Sequence, residues 1–352
     1  MVKRSSALML VSAYVDARLR REVNEGLRPQ PEYLVLEANH GVELLDWSRL
    51  PGPGRGRSAW RSGVHVAAAL RELGHHDVVF SDGEHVGIPL ALAIRALGIT
   101  TPHLVIGHHL TTGRKAPLIR RLRAHEGMTR ILVHSSFQRE LAHRELGIPT
   151  KKLDYLPYYA DAHFWSPIQV AEEDLVVSAG REHRDYATLA EACGSLAARV
   201  FVAAGSIHSP AATSRNPVEW PRNFEHGFAD YRQLRELYSR ASVVVVPLVE
   251  TDFQAGVTTV LEAMAMGKAV VVTATKGQGD VLRDGLTGIT VPPGNAAELR
   301  AAVRYLLESP SERRRLGSTA RQAVIDGFSL EAYSAHLSGH LADLAVANRV
   351  AA

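Results

Sequence analysis

The chain has 352 residues, 46% hydrophobic and 22% charged, which is too long for one small core and too ordinary in composition for a disordered or fibrous chain. Forty Lys and Arg against 37 Asp and Glu leave a formal charge of +3, too little by itself to imply nucleic acid. Cys193 is the single cysteine, which excludes an intramolecular disulfide, a Cys-based zinc cluster and a CxxC pair, and no apolar stretch approaches the roughly 18 residues of a membrane span.

The N-terminus, MVKRSSALMLVSAYV, sets Lys3 and Arg4 before a short apolar run that Tyr14 and Asp16 follow. Without a small-x-small cleavage site it reads as a first strand rather than a signal peptide, and a cytoplasmic location is expected. Further strands are expected at 32–38 (EYLVLEA), 77–82 (DVVFSD), 103–109 (HLVIGHH) and 130–136 (RILVHSS), short runs rich in Val, Ile and Leu. The segments 87–98 (GIPLALAIRALG) and 136–146 (SFQRELAHREL) have the i, i+3, i+4 apolar spacing of helices. Residues 46–63, broken by Pro, Gly and Arg, read as a surface loop. Residues 155–173, with two prolines and little periodicity, read as a linker.

The pattern then restarts. Strands are expected at 174–180, 199–206, 242–249 and 268–275, and helices at 186–196, 231–241, 257–267 and 296–309. Asn295 and Glu298 have the spacing of a capping pair for the last helix. Alternating strands and helices in both halves predict an α/β protein of two Rossmann-like domains facing a cleft, 1–165 and 166–340, with the chemistry on loops after the strands. The halves differ in charge: residues 1–165 hold 22 basic and 16 acidic side chains (22 − 16 = +6), and 166–352 hold 18 and 21 (18 − 21 = −3). Twelve of the 17 histidines also lie in the first half, so the halves should meet different partners.

The most informative stretch runs from Val243 to Gly294: a buried strand, a loop containing Gly256, and a helix emerging near Val257. A helix start presents free backbone N–H groups and a positive dipole, a seat for phosphate, and Gly256 allows close approach to the backbone. Glu262 lies about a turn and a half inside, where an acid can accept hydrogen bonds from ribose hydroxyls. Ala263, Met264 and Ala265 follow it, so the helix is expected to be buried, and a buried acid needs a partner.

This stretch resembles the donor-site signature of family 4 retaining glycosyltransferases, which have the two-domain GT-B fold. LEAMAMGKAVVVT followed by GLTGITVPPG is its most specific part; SAGREHRDYATLAEA (178–192) and HSSFQRELAHRELGIPTKKLDYLPYYADAHFWSP (134–167) extend it over about the last two-thirds of the chain. The resemblance implies an acceptor domain at 1–165, a nucleotide-sugar domain at 166–340, and a helix at 341–352 that packs back on the N-terminal domain. It implies that Arg181 contacts the donor diphosphate, that Arg184 is a second cation there, and that Glu262 holds the nucleotide ribose. His108, with His109 as the neighbouring candidate, matches an active-site histidine near the transferred sugar. Gly227 and Phe228 fall near the base-binding loop, and Gln254, Ala255, Gly256, Val257 and Thr258 form the loop and helix start at the donor. The family's acidic pair is separated by seven residues, and this chain has Gln254 at the first position, with Glu250 and Asp252 as nearby acids. The family's glycine-rich loop after the first strand is replaced by AYVDARLRREVNEG.

The implied reaction is a metal-independent, retaining transfer from a nucleotide-diphosphate sugar, UDP-linked, to a small-molecule or lipid-linked acceptor, with no cofactor besides the nucleotide sugar. The alternatives are a GT-B-fold nucleotide-sugar epimerase or hydrolase, and a non-catalytic sugar-nucleotide-binding subunit. For Arg181 and Arg184 the plainer reading is surface ion pairing with Glu182 and Asp185; for His108 and His109 it is a core or loop histidine. Gly277-x-Gly279 lacks the third glycine and the element order of a dinucleotide loop. Residues 113–125 (GRKAPLIRRLRAH) place Leu118, Ile119 and Leu122 on one side and Arg120, Arg121 and Arg123 elsewhere, which fits either weak association with an anionic membrane or a solvated helix face.

Overall fold

The computed structural model describes residues 7–51, 59–113, 115–204 and 214–351. The chain forms two compact units: Met1–Glu25, Gln30–Leu156 and Tyr333–Ala352 make the first, Gly26–Pro29 and Pro157–Ala332 the second.

The first unit contains β1 (Ala7–Val11), α1 (Ala17–Asn24), α2 (Glu32–His40), β2 (Glu43–Asp46), α3 (Ala59–Glu72), β3 (Val78–Ser81), α4 (Glu84–Leu97), β4 (His103–Ile106), α5 (Lys115–Arg121), β5 (Arg130–Val133), α6 (Ser136–Leu146) and β6 (Leu153–Tyr155). Its strands pair in parallel in the order β2-β1-β3-β4-β5-β6. The central strands β1, β3 and β4 are fully buried and read as nearly continuous apolar runs, whereas β2, β5 and β6 keep one or two residues outside the core.

One expected strand is corrected. Residues 32–38 lie in α2, with Tyr33, Leu34, Val35 and Leu36 all buried, Pro31 at the N-cap and Gly41 closing the helix at φ 65°. A short unbroken apolar run does not separate a buried helix from a buried strand. The true β2 contributes only Leu44 and Leu45 as apolar residues, too short a signal to register. Within the expected 46–63 loop, residues 52–58 lie outside the described residues, as do 205 and 206 at the end of the expected 199–206 strand.

The second unit contains β7 (Glu173–Ala179), α7 (Tyr186–Cys193), β8 (Arg199–Ala203), β9 (Phe224–Gly227), α8 (Tyr231–Arg240), β10 (Ala241–Val246), α9 (Val257–Ala265), β11 (Ala269–Thr273), β12 (Ile289–Val291), α10 (Ala296–Glu308) and α11 (Pro310–Gly327). The parallel order is β12-β11-β10-β7-β8-β9. Phe164 and Trp165 pack into the core of this unit beside α9, which is why the segment after Pro157 belongs to it. Asn295 accepts from the Glu298 N–H at 3.1 Å and donates to the Glu298 carboxylate at 3.0 Å, as its spacing predicts. A last helix, α12 (Leu330–Ala351), buries Tyr333, Leu337 and Leu341. Within the first unit, Asn348 donates to the Asp77 carbonyl at 3.2 Å and Arg349 pairs with the Asp77 carboxylate at 3.4 Å. Among the described residues no helix is long and apolar enough to cross a membrane.

Each sheet reverses direction once. In the first, β2 and β3 lie on opposite sides of β1; in the second, β8 and β10 lie on opposite sides of β7. Crevices beyond the carboxyl ends of strands at such reversals are where open α/β sheets bind ligands.

Candidate active site

At the reversal of the second sheet, β7 ends at Ala179 and β10 at Val246. Gly180 follows β7 at φ 109°, and a Cβ there would lie 2.3 Å from the Arg184 Nη2. Gly256, the N-cap of α9, sits at φ 73°, and a Cβ there would lie 3.1 Å from the Arg184 Nη1. Both glycines are therefore fitted to one guanidinium, besides adopting a left-handed conformation that other residues reach only at a cost.

That guanidinium does not reach solvent. Arg184 is 4% exposed; its Nε donates to the Ala179 carbonyl at 2.8 Å, Nη1 to the Glu182 carbonyl at 2.8 Å, and Nη2 to the Thr259 hydroxyl at 3.0 Å. Burial draws its pKa below the ordinary arginine value. One expectation changes. Arg184 is not a surface ion-pair residue, since the Asp185 carboxylate caps α7 through the Thr188 N–H at 3.1 Å and hydroxyl at 2.7 Å. It ties the end of β7 to the first turn of α9 and places a positive charge beneath Gly256.

Arg181 is half-buried. It lines a cavity of about 340 Å³ together with Tyr186, Ser214, His226, Gly227 and Phe228, a volume at the lower end of the roughly 300–1,000 Å³ usual for ligand sites. Gly227 ends β9, and Phe228 is 60% exposed. Trp220 supports this wall, its ring 6.1 Å from Tyr186 and 5.1 Å from His226. The structure thus brings Arg181, Gly227 and Phe228 together around one cavity.

The loop into α9 is braced from below. A Cβ at Gly277 would come within 2.1 Å of the Phe253 carbonyl oxygen, so Gly277 serves close packing under this loop. The Gln278 amide donates to the Ala255 carbonyl, and Glu250 accepts from the Lys276 N–H at 3.0 Å. Ala255 and Val257 are buried, Gly256 is half-buried and Thr258 exposed, so the helix start opens outward at Gly256 and Thr258.

Two buried polar side chains stand out. Gln254 is 8% exposed, and neither its Oε1 nor its Nε2 has a hydrogen-bond partner. Glu250 and Asp252 are exposed, and the buried Thr251 hydroxyl donates to the Phe253 carbonyl at 3.0 Å, so Gln254 is the buried polar side chain of the loop that lacks a hydrogen-bond partner. Glu262 is 7% exposed and accepts only a long hydrogen bond, 3.5 Å, from the Tyr238 hydroxyl. Burial pushes its carboxyl up to about 8, against the pull of Tyr238 and of the Arg184 charge.

In the first unit, His108 and His109 lie in the loop after β4. Glu84, at the start of α4 and 2% exposed, accepts from the His108 N–H at 3.0 Å and the His109 N–H at 3.1 Å, and pairs with Lys115. Burial alone would raise its pKa, but the charges of His108 and Lys115 outweigh burial and hold it at about 2. Gln138 donates to the His108 carbonyl at 2.9 Å, and the His108 Nε2 lies 3.0 Å from the Asp82 carbonyl. The His134 ring packs 5.3 Å from His108 and, fully buried, has its pKa lowered to about 3. Glu84, Lys115, Gln138 and His134 escaped sequence reasoning; an acid-histidine pair directly after a strand, as in DGEH (82–85), was the available signal. Among the described residues no group of three or more His, Cys, Asp or Glu side chains could hold a metal ion.

Residues 222–323 match the family model described as glycosyl transferases group 1, a segment that includes Glu262 and Gln254. Alpha-D-kanosaminyltransferase of Streptomyces kanamyceticus is 30% identical over 113 residues, 32% of this chain and 28% of that protein. The chain spans about a quarter of the length of the curated relatives it matches. Among solved structures, sucrose-phosphate synthase from Thermosynechococcus elongatus aligns with a TM-score of 0.72 at 16% identity, covering 98% of this chain and 100% of that one. Anabaena HepE in complex with UDP and glucose aligns with a TM-score of 0.66 at 14% identity, covering 96% and 99%. The fold is thus that of the GT-B glycosyltransferases, with two Rossmann-like units.

Proposed function

We propose that this chain is a retaining glycosyltransferase of the family 4 type that takes its sugar from a UDP-linked donor bound at the β7–β10 reversal. One observation carries the reading. Gln254 and Glu262, on a single loop and helix, are buried polar groups whose hydrogen-bonding capacity the protein leaves largely unused, and an unmade buried hydrogen bond costs about 1–3 kcal/mol. Hydroxyl groups of a ribose and a sugar, joined by a diphosphate over Gly256, would satisfy both. The group 1 match over this segment and the UDP-bound likeness of HepE support the donor class.

In this reading Phe228 and Gly227 meet the base, Glu262 the ribose, Arg181 and the N–H groups of Val257 and Thr258 the diphosphate, and Gln254 the transferred sugar. The acceptor oxygen bonds to the anomeric carbon as the bond from that carbon to phosphate oxygen breaks. The electron pair leaves with the diphosphate, and the acceptor proton passes to it on the same face of the sugar. The protein's task is to stabilise charge on the leaving group, where each charge-assisted hydrogen bond contributes roughly 1.5–3 kcal/mol.

Replacing Arg181 by Ala should lower turnover of the UDP-sugar at least about tenfold with the fold intact; wild-type turnover rejects its role. No metal ion is required in this scheme, so chelation with EDTA should leave turnover unchanged. Nucleotide-sugar binding without turnover, in both the wild type and Gln254→Glu across a panel of acceptors, would instead favour a non-catalytic subunit.

An anionic lipid surface is the proposed resting place of α5. Leu118 and Leu122 are 39% and 48% exposed beside Arg120, Arg121 and Arg123, whereas Ile119 is buried. Exposed leucines amid arginines suit the boundary between headgroups and acyl chains.

A further inference from the structure

We infer that the reversal of the first sheet is a second binding site, which takes a neutral polyhydroxylated ring through Ser12, Asp82 and His85. Ser12 is the first residue after β1, Asp82 the first after β3, and these strands are hydrogen-bonded neighbours with Leu10 opposite Ser81. The two residues therefore meet at the crevice where the strand order reverses, the place at which open α/β sheets bind ligands.

They meet in a defined way. The Asp82 carboxylate accepts from the Ser12 N–H at 2.5 Å and from the Ser12 hydroxyl at 2.8 Å. The His85 Nε2 lies 2.6 Å from the same hydroxyl oxygen. A serine has one proton to give, and Asp82 takes it, so His85 donates to Ser12 and the three form a directed chain that fixes the carboxylate and the imidazole. Ser12 is 6% exposed, whereas Asp82 and His85 are half-buried and keep access to solvent. Gly83 stands between them: a Cβ there would lie 3.0 Å from the His85 ring and 3.6 Å from the His108 ring, so its lack of a side chain leaves both imidazoles uncovered. Two residues beyond Ser12, Tyr14 is 36% exposed, its ring set edge-on to Trp47 at 5.6 Å and braced by the Arg61 guanidinium at 5.0 Å.

The chemistry selects the ligand. A fixed carboxylate accepts hydrogen bonds from hydroxyls and repels anions, an imidazole adds a further polar contact, and an aromatic ring suits the C–H face of a saturated ring. A hydroxylated ring meets all three, and a phosphorylated ligand would have to keep its phosphate away from Asp82. That this ring is the sugar acceptor rests on the glycosyltransferase reading; that it binds here does not.

The test is saturation-transfer NMR on the full chain with D-glucose, D-mannose and myo-inositol as probes, with UDP titrated into the same samples. At least one probe should bind the wild type, and His85→Gln and Asp82→Asn should weaken it by about tenfold or more, as for a lost charge-assisted hydrogen bond, while UDP affinity stays unchanged. His85→Gln leaves the contact between Ser12 and Asp82 in place, so it decides the matter if Asp82→Asn fails to fold. Binding of none of the probes by the wild type, or equal binding by wild type and His85→Gln, overturns the inference even where UDP binds. A probe that binds while UDP does not sustains this site and removes the donor reading instead.

Discussion

Glu262 is an acid that its surroundings hold uncharged, with its pKa raised from 4.5 to about 8. The unfolded chain gives up this proton near the ordinary value, whereas the folded chain keeps it to about 8. Between those limits the folded state binds more protons, so the stability contributed by Glu262 is present below about 4.5 and is lost as pH rises toward 8. Urea unfolding of wild type and Glu262→Gln across that window should show the wild type losing stability relative to the variant as pH rises; identical pH dependence would contradict the assignment. Above about pH 8, where the wild-type side chain becomes a carboxylate, the same variant should bind nucleotide at least about tenfold more weakly, because a neutral amide accepts ribose hydroxyls less strongly than a carboxylate. Gly256 and Glu262 were legible in the sequence because a strand, a glycine loop and a helix start follow one another, and Arg181 was singled out by the family resemblance. The burial of Arg184 was not, since it depends on the φ of Gly180 and on Thr259, 75 residues away along the chain.

The element that organises the second unit is the junction of β7 with α9, held by the Arg184 guanidinium between two glycines. Gly180→Ala should destabilise the protein by about 1–3 kcal/mol, because it adds a clash to a backbone strain of that order. Gly285→Ala, at φ 68° with nothing within 4 Å of the added Cβ, meets the strain without the clash and should cost less. Combining Gly180→Ala with Arg184→Ala should cost less than the sum of the single changes, since the second removes what the first strikes; strict additivity in urea unfolding would show that the two do not touch. At α5, co-sedimentation with anionic vesicles at low salt should be lost on Leu118→Ser with Leu122→Ser, and absence of wild-type binding removes the membrane proposal. Elements with a full period were legible, such as α9 and the four-valine strand β10. The short strands β2, β6, β9 and β12 were not, because each carries at most two apolar side chains, whereas the equally short β3, β4 and β5 hold three in a row.

At the scale of the whole molecule, one architecture is used twice. Each unit is a parallel sheet with a single reversal, and at each reversal the residue after the first strand approaches chemistry brought by a neighbouring strand: Ser12 with Asp82 in one, Gly180 with the α9 start, through Arg184, in the other. The +3 charge conceals +6 and −3 in the two halves, so the phosphate binding proposed for the second unit would rest on a few placed groups rather than on a general field. Two Rossmann-like units were legible in the alternation of strands and helices. The crevice of the first unit was not, because the familiar glycine-rich loop is missing and the contact between Ser12 and Asp82 spans 70 residues. The central claim is that the β7–β10 reversal binds a uridine nucleotide, and thermal unfolding with added UDP tests it directly, since a ligand of the folded state raises Tm by mass action. UDP should raise Tm of the wild type more than GDP or ADP does and leave Arg181→Ala and Glu262→Gln nearly unmoved; no shift with any of the three nucleotides, or an equal UDP shift in wild type and both variants, would contradict it.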